Sequence, residues 1–300
     1  MGPPEQRSVR AEGGIIRVSG EDWQEDEDRL AAEEPLEMRL AFWENGERVE
    51  KPIAVTMRTP GDDFELAVGF LFGEGILKKR EDFVEVAYCL DVNEQQNYNI
   101  VSVSLMPGVE FDMSRLDRHF YTTSSCGVCG KAALEALEIT GCEVILPGFT
   151  VNAEVIKSLP DTLRDAQAVF EQTGGLHAAG LFDSDGNLLS LREDVGRHNA
   201  LDKVIGGQVT AGTASLEDRI ILLSGRASFE LLQKSLVARV PVVAAVGAPS
   251  SLAVELADTF GITLIGFTRP DGFNIYTHPE RLNRSTLLHY EPISGGVCGE

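Results

Sequence analysis

Apolar residues recur at strand spacing in Met38–Trp43 and again in Val49–Met57, with Asn45-Gly46 between the two runs. A period near two marks a strand with one buried face, and Asn-Gly is the pair that two-residue hairpin loops select, so a β-hairpin is expected here. Gly61-Asp62-Asp63 then offers a helix start, and the apolar run Phe64–Phe72 should be helical and stop near Gly73–Gly75. Asn99–Leu105 alternates like a further strand, and Lys131–Ile139 reads as a helix ended by Gly141.

The second half has a different rhythm. Leu176–Leu191 reads as a hairpin turning at Asp183-Ser184-Asp185-Gly186, followed by a helix over Val195–Ile205. Three short apolar runs, Ile220–Leu223, Val242–Val246 and Ile262–Phe267, alternate with helical periodicity over Phe229–Val237 and Leu252–Phe260. Strand–helix–strand–helix–strand with short loops implies parallel strands joined by right-handed crossovers. The fold class is therefore α/β, with an N-terminal strand-rich subdomain. The expected division is an acidic, disordered or loosely attached tail over 1–34, an α+β subdomain over 35–120, an α/β domain over 121–285, and a C-terminal tail over 286–300. No internal repeat is evident.

Composition narrows the partners. The chain has 300 residues, 43% of them hydrophobic, enough to bury a real core. Its net charge of -21 argues against nucleic acid, because phosphate binding needs a basic face, but leaves room for a small local basic pocket. The first 34 residues hold ten acidic and four basic side chains, with Trp23 as their one aromatic, so deleting residues 1–30 is expected to leave stability nearly unchanged. No apolar run spans a membrane and no signal-peptide core follows Met1. Five cysteines, an odd number and scattered apart from one pair, read as free thiols in a reducing cytoplasm.

That pair is Cys126 and Cys129, in Ser125-Cys126-Gly127-Val128-Cys129-Gly130. A Cys-x-x-Cys before a helix sets its thiols near unpaired backbone N–H groups that favour thiolate, the nucleophilic form. Structural zinc would need about four ligands, whereas Cys89, Cys142 and Cys298 are isolated and no His stands at knuckle spacing. A thioredoxin-like site would expect an apolar strand directly upstream, and His119-Phe120-Tyr121-Thr122 matches poorly. A sulfur carrier needs only an exposed, activated thiol. The plainest alternative is two unremarkable loop cysteines.

A second constellation lies at the ends of the three strands, where open parallel sheets bind ligands. Those ends are Ser224-Gly225-Arg226-Ala227-Ser228, Gly247-Ala248-Pro249-Ser250-Ser251 and Thr268-Arg269-Pro270-Asp271-Gly272. All three should open on one edge, the first two lead into helix N-termini, and Arg226 and Arg269 can grip phosphate. An anionic, phosphorylated ligand is implied; ordinary turn chemistry accounts for each loop taken singly. A third stretch, Arg192-Glu193-Asp194-Val195-Gly196-Arg197-His198-Asn199, mixes acids, Arg and His at a helix start. His198 there could act in proton transfer, but a lone His at a helix start is more often a capped or packed residue, and His177 reads the same way. No P-loop, dinucleotide fingerprint, His-Glu-x-x-His or Gly-x-Ser-x-Gly occurs.

Together these residues resemble the formate dehydrogenase accessory sulfurtransferases, the FdhD family. The resemblance is carried by Gly61–Leu77, Cys126-Gly127-Val128-Cys129-Gly130, Gly174–Ala179, Glu193–Val204, Leu223–Val237 and Ile265–Arg281, and runs from about Leu36 to Leu282. It implies a cytidine-deaminase-like α/β/α sandwich without the deaminase zinc signature, which this chain also lacks, so no intrinsic metal is expected. It implies a homodimer that takes persulfide sulfur from a cysteine desulfurase. The sulfur passes to the molybdenum or tungsten cofactor, bis-molybdopterin guanine dinucleotide, required by formate dehydrogenase. The family's persulfide carrier corresponds to Cys126, with Cys129 in a second role, and its cofactor-binding segment to Phe267-Thr268-Arg269-Pro270-Asp271-Gly272. A dithiol oxidoreductase and a non-catalytic cofactor-binding chaperone are the rival readings.

Overall fold

The computed structural model describes residues 10–89, 98–111 and 142–283, with side chains from residue 13 onward. The Cys126–Cys129 loop, the helix expected over Lys131–Ile139, and Cys298 lie outside the described residues.

The first hairpin forms as its pattern requires. Strands β3 (Glu34–Glu44) and β4 (Glu47–Arg58) pair antiparallel, and Leu36, Met38, Leu40 and Phe42 are buried. Asn45 and Gly46 both take positive φ, 52° and 84°, which is what a tight turn matched to the strand twist demands. Helix α1 (Asp63–Gly73) follows, although Asp62 makes no side-chain cap and itself sits in the left-handed region. Strands β5 (Phe83–Tyr88) and β6 (Ile100–Leu105) complete a sheet ordered β4-β3-β6-β5, with β3 and β6 parallel.

The second half builds a six-stranded sheet. Its strands are β8 (His177–Phe182), β9 (Leu188–Asp194), β10 (Ile220–Leu223), β11 (Val242–Ala245), β12 (Thr263–Arg269) and β13 (Gly272–Ile275), ordered β13-β12-β11-β10-β8-β9. Strands β10, β11 and β12 are parallel, while β8, β9 and β13 each run antiparallel to their neighbours. The central strands are continuously apolar because both faces are covered. On one face Ile220, Leu222, Val242, Ala244 and Ile265 pack with Ile156, Leu159 and Leu163 of α2 (Ala153–Ala166). On the other, Ile221, Leu223, Val243, Ala245 and Leu264 share a cluster with residues of α4 (Arg197–Thr210), α5 (Phe229–Val237) and α6 (Ser251–Phe260). Three further elements are short: α3 (Phe170–Thr173) and the paired β7 (Val151–Asn152) and β14 (Leu282–Asn283).

The boundary expected near residue 120 falls outside the described residues, but the two halves do not own separate cores. One apolar cluster runs from Leu36 and Leu71 to Leu201 and Leu264. Helices α1 and α4 cross at two glycines. A Cβ on Gly69 would lie 1.9 Å from the Asp202 carbonyl oxygen, and one on Gly206 would lie 1.9 Å from that of Glu65. Only glycine permits backbones this close.

Of the tail expected to be disordered or loosely attached over 1–34, the structure describes the part from Arg10 onward. Strands β1 (Arg10–Ser19) and β2 (Asp22–Ala31) form a regular antiparallel ribbon, followed by β3 from Glu34. The ribbon was illegible because nearly all its described side chains are exposed, including Ile16, Val18 and Trp23, and a strand without a buried face leaves little alternation to read. It touches the body lightly, through Arg29 Nη1 donating to Gln172 Oε1 at 3.3 Å.

Two outcomes follow. Gly206→Ala should destabilise the protein by about 1–3 kcal/mol, the cost of forcing atoms into a packed contact, read as a lowered urea midpoint. Removal of residues 1–31 should change that midpoint little, because the deletion spares Glu34 and its ion pair with buried Arg58; a large loss would show the ribbon to be integral to the core.

Candidate functional site at the strand ends

The carboxyl ends of β10, β11 and β12 lie side by side, and their loops are stitched together by main-chain bonds. The Gly247 amide donates to Gly225 O (2.9 Å), that of Ala227 to Ala248 O (3.2 Å), and that of Phe267 to Gly247 O (3.1 Å). Because β8 runs antiparallel to β10, its first residue, His177, reaches the same edge and packs against Gly225. His177 pairs with Asp194 at the end of β9, so the N-terminus of α4 arrives there too. Topology thus gathers the N-termini of α4, α5 and α6 at one rim, and helix N-termini attract anions.

Each residue expected to bind cofactor can now be placed. Arg226 and Arg269 are exposed, and among the described residues neither guanidinium has an ion-pair or hydrogen-bond partner. In a chain this acidic, two uncommitted guanidiniums on one edge are available for a ligand. Gly225 lies against the His177 ring. Ser224 and Thr268 are committed to the frame: the Ser224 hydroxyl accepts from the Ala178 amide (2.8 Å), and buried Thr268 donates to Ala245 O (3.0 Å). Phe267 occupies a bulge between Gly266 and Arg269, with φ of 53° and an exposed ring. A non-glycine residue held at positive φ marks stored strain of the kind that collects at functional sites. Pro270 and Asp271 form the exposed two-residue turn closed by the Arg269–Gly272 pair.

Three residues that the sequence did not single out as ligands join the edge. His198 Nε2 lies 3.2 Å from Ser228 Oγ and 3.5 Å from Glu230 Oε2. Burial lowers its pKa, with Arg197, Lys234 and His177 adding to that and Glu230 opposing. Burial likewise lowers His177, with Arg197 contributing. Arg197 itself keeps a buried Nε with no hydrogen-bond partner. The pattern Arg-His-Asn at a helix start was the available signal, but the partner Ser228 is thirty residues away.

Behind the rim lie two buried ion pairs. Asp194 accepts from the amides of Thr59 (3.1 Å) and Gly196 (2.8 Å) and from Asn199 Nδ2 (2.9 Å), and lies 2.8 Å from Lys203 Nζ. Lys203 also donates to Thr59 O. Asp202 and Lys234 face each other at 2.9 Å. Burial pushes the Asp202 carboxyl up to about 7 against the pull of Lys234. For Lys234, burial acts downward but Asp202 and Glu230 outweigh it, and the direction is up.

Of the two cysteines within the described residues, Cys89 is not activated. Burial, aided by Glu50, pushes the Cys89 thiol up, the wrong direction for a nucleophile. Cys142 packs against the main core. Among the described residues no group of three His, Cys, Asp or Glu could hold a metal ion, and no helix is long and apolar enough to cross a membrane.

The fold is that of a mixed α/β protein whose helix N-termini and two exposed arginines share the rim beyond its parallel strands. The chain belongs to the FdhD/NarQ family, whose model matches residues 32–283. It is 51% identical over 259 residues to the sulfur carrier protein FdhD of Streptomyces avermitilis, covering 85% of this chain and 89% of that protein. The protein of the same name from Mycobacterium tuberculosis is 52% identical over 261 residues, 84% of this chain and 91% of the relative. That of Picrophilus torridus is 43% identical over 255 residues, 85% and 92% of the two chains. A crystal structure assigned as a formate dehydrogenase accessory protein from Desulfotalea psychrophila superposes with a TM-score of 0.71 at 26% identity, covering 92% of this chain and all of that one.

Asp194→Ala should cost about 3–5 kcal/mol in chemical denaturation, because it strands the Lys203 ammonium in the interior. A loss below 1 kcal/mol would show that Lys203 reaches water in the folded protein.

Proposed function

We propose that this protein is a sulfur carrier that serves formate dehydrogenase, taking persulfide sulfur from a cysteine desulfurase and passing it to bis-molybdopterin guanine dinucleotide, with molybdenum or tungsten as the metal of that substrate. The observation that carries the reading is the pairing of uncommitted Arg226 and Arg269 on one edge of a family member with net charge -21. The substrate's pyrophosphates suit those guanidiniums and the converging helix N-termini.

Cys126 is the proposed carrier. Its thiolate attacks the outer sulfur of the donor's cysteine persulfide; the donor's S–S bond breaks, the donor leaves as a thiolate, and a new S–S bond stands on Cys126. Cys129 receives or helps release that sulfur. The likeness to a cytidine-deaminase sandwich, a homodimeric state, the enzyme class of sulfurtransferase with a persulfide intermediate, and a cytoplasmic setting belong to the same proposal. The helices on both faces of the six-stranded sheet support the first of these.

Cys126→Ser should abolish the mass of one added sulfur after incubation with a cysteine desulfurase and cysteine, and abolish activation of formate dehydrogenase, while Cys89→Ser leaves both intact. Persulfide gained and passed on by Cys126→Ser would move the carrier role elsewhere. A dithiol–disulfide cycle without sulfur transfer would favour an oxidoreductase. Retained activation after both cysteines are replaced would favour a chaperone. Arg269→Ala should weaken GDP binding by about 1.5–3 kcal/mol in calorimetry, the contribution of a charge-assisted hydrogen bond, while leaving persulfidation unchanged.

A further inference from the structure

We infer that His198 is the proton-responsive residue of the strand-end site: binding of a phosphorylated ligand there is coupled to uptake of a proton by the His198 imidazole. This rests on the reading of that edge as a phosphate-binding site.

Two equivalent loops supply the first observation. At the end of β11, Ser250 caps α6 by accepting from the Ala253 amide at 3.3 Å. At the end of β10, Ser228 holds the same N-cap position on α5 yet makes no cap; its hydroxyl lies instead against His198. A capping bond is worth about 1 kcal/mol, so its absence at only one of two matched positions marks the His198 contact as a feature of this edge.

The second observation is the ring's orientation. Nε2 faces both the Ser228 hydroxyl and the Glu230 carboxylate. An ionised carboxylate only accepts, so the tautomer that serves Glu230 carries its hydrogen on Nε2 and leaves Nδ1 open to a second proton. The charged and titratable groups facing the ring are Glu230 and Lys234 from α5, Arg197 from its own helix and His177 from β8. Glu230 favours the imidazolium; burial and the three basic groups oppose it and prevail. Glu230 is in turn 4.0 Å from Lys234, whose ammonium is tied to Asp202, so part of its charge is already used.

An anion seated beside Arg226 reverses this balance. It brings negative charge to the loop that ends in Ser228, and the imidazole takes a proton from the buffer onto Nδ1. The sign is defined. The free-state pKa lies below the ordinary histidine value and the ligand raises it. Affinity therefore strengthens as pH falls through the bound-state pKa and levels off below the free-state one. The ligand's own terminal phosphate, with a second pKa of about 6, would release rather than take up a proton on meeting arginines, so the two sources differ in sign.

The test is titration calorimetry of GDP into the full chain, in buffers of different ionisation enthalpy at about pH 7, with affinities from about pH 8 to about pH 6. The wild type should take up a large fraction of one proton and bind more tightly at lower pH, about tenfold for each unit by which the ligand raises the pKa. His198→Gln, which keeps an N–H for Ser228 and Glu230, should bind GDP with uptake near zero and a flat pH profile. Arg269→Ala should weaken binding but retain the uptake. Histidine ring NMR shifts of the wild type with and without GDP report the same protonation should the variant fail to fold. Buffer-independent heats in a wild type that binds GDP would overturn this inference alone, as would uptake lost in His177→Gln and kept in His198→Gln. Absence of GDP binding would remove the site reading and this inference with it.

Discussion

One carboxylate holds the architecture in register. Asp194 is fully buried at the end of β9 and meets three donors besides Lys203. Burying a charge is costly unless it is paired and its lone pairs are filled, and here both conditions hold. The donors come from three places: the end of β4, the turn after β9, and the first turns of α4. The N-terminal sheet, the six-stranded sheet and the helix between them therefore meet at one point, and the Gly69–Gly206 crossing fixes how closely α1 and α4 pack beside it. The same point aims the start of α4, and with it Arg197 and His198, at the strand ends.

Elements with a strong local pattern were legible in the chain. The β3–β4 turn was marked by Asn45-Gly46, and the helix read over Phe229–Val237 has those bounds in the structure. The three parallel strands were also found, because their apolar runs sit between short loops. Other elements carry weaker local signals. In α2, Pro160 reads as a breaker although the helix runs through it. The antiparallel placement of β8 beside β10 depends on a pairing across about forty residues that no local pattern encodes.

The site divides in the same way. Arg226 and Arg269 were expected to share an edge because the strand-end loops of a parallel sheet lie together, and those loops do stand side by side. Ser224 and Thr268 were in the right loops, but their hydroxyls complete the frame that holds the arginines in place. His198 looked like a packed residue, and its surroundings come from three separate segments, which is why spacing alone could not assign it. Proximity created by topology, rather than any motif, brings Arg226 and Arg269 to one edge of an acidic protein.

Among the described residues the β1–β2 ribbon has two unpaired edges and stands apart from both larger sheets. Such edges are templates for pairing with another copy, and proteins guard them with charge. Six carboxylates between Glu21 and Asp28 provide that guard, and all six side chains are exposed to water. The guard is electrostatic rather than steric, so its strength belongs to the solvent as much as to the chain: salt shortens its reach and acid removes it. The exposed indole of Trp23 would then be left on a strand free to extend a sheet, making colloidal behaviour, not folding, the property that this acidic ribbon governs.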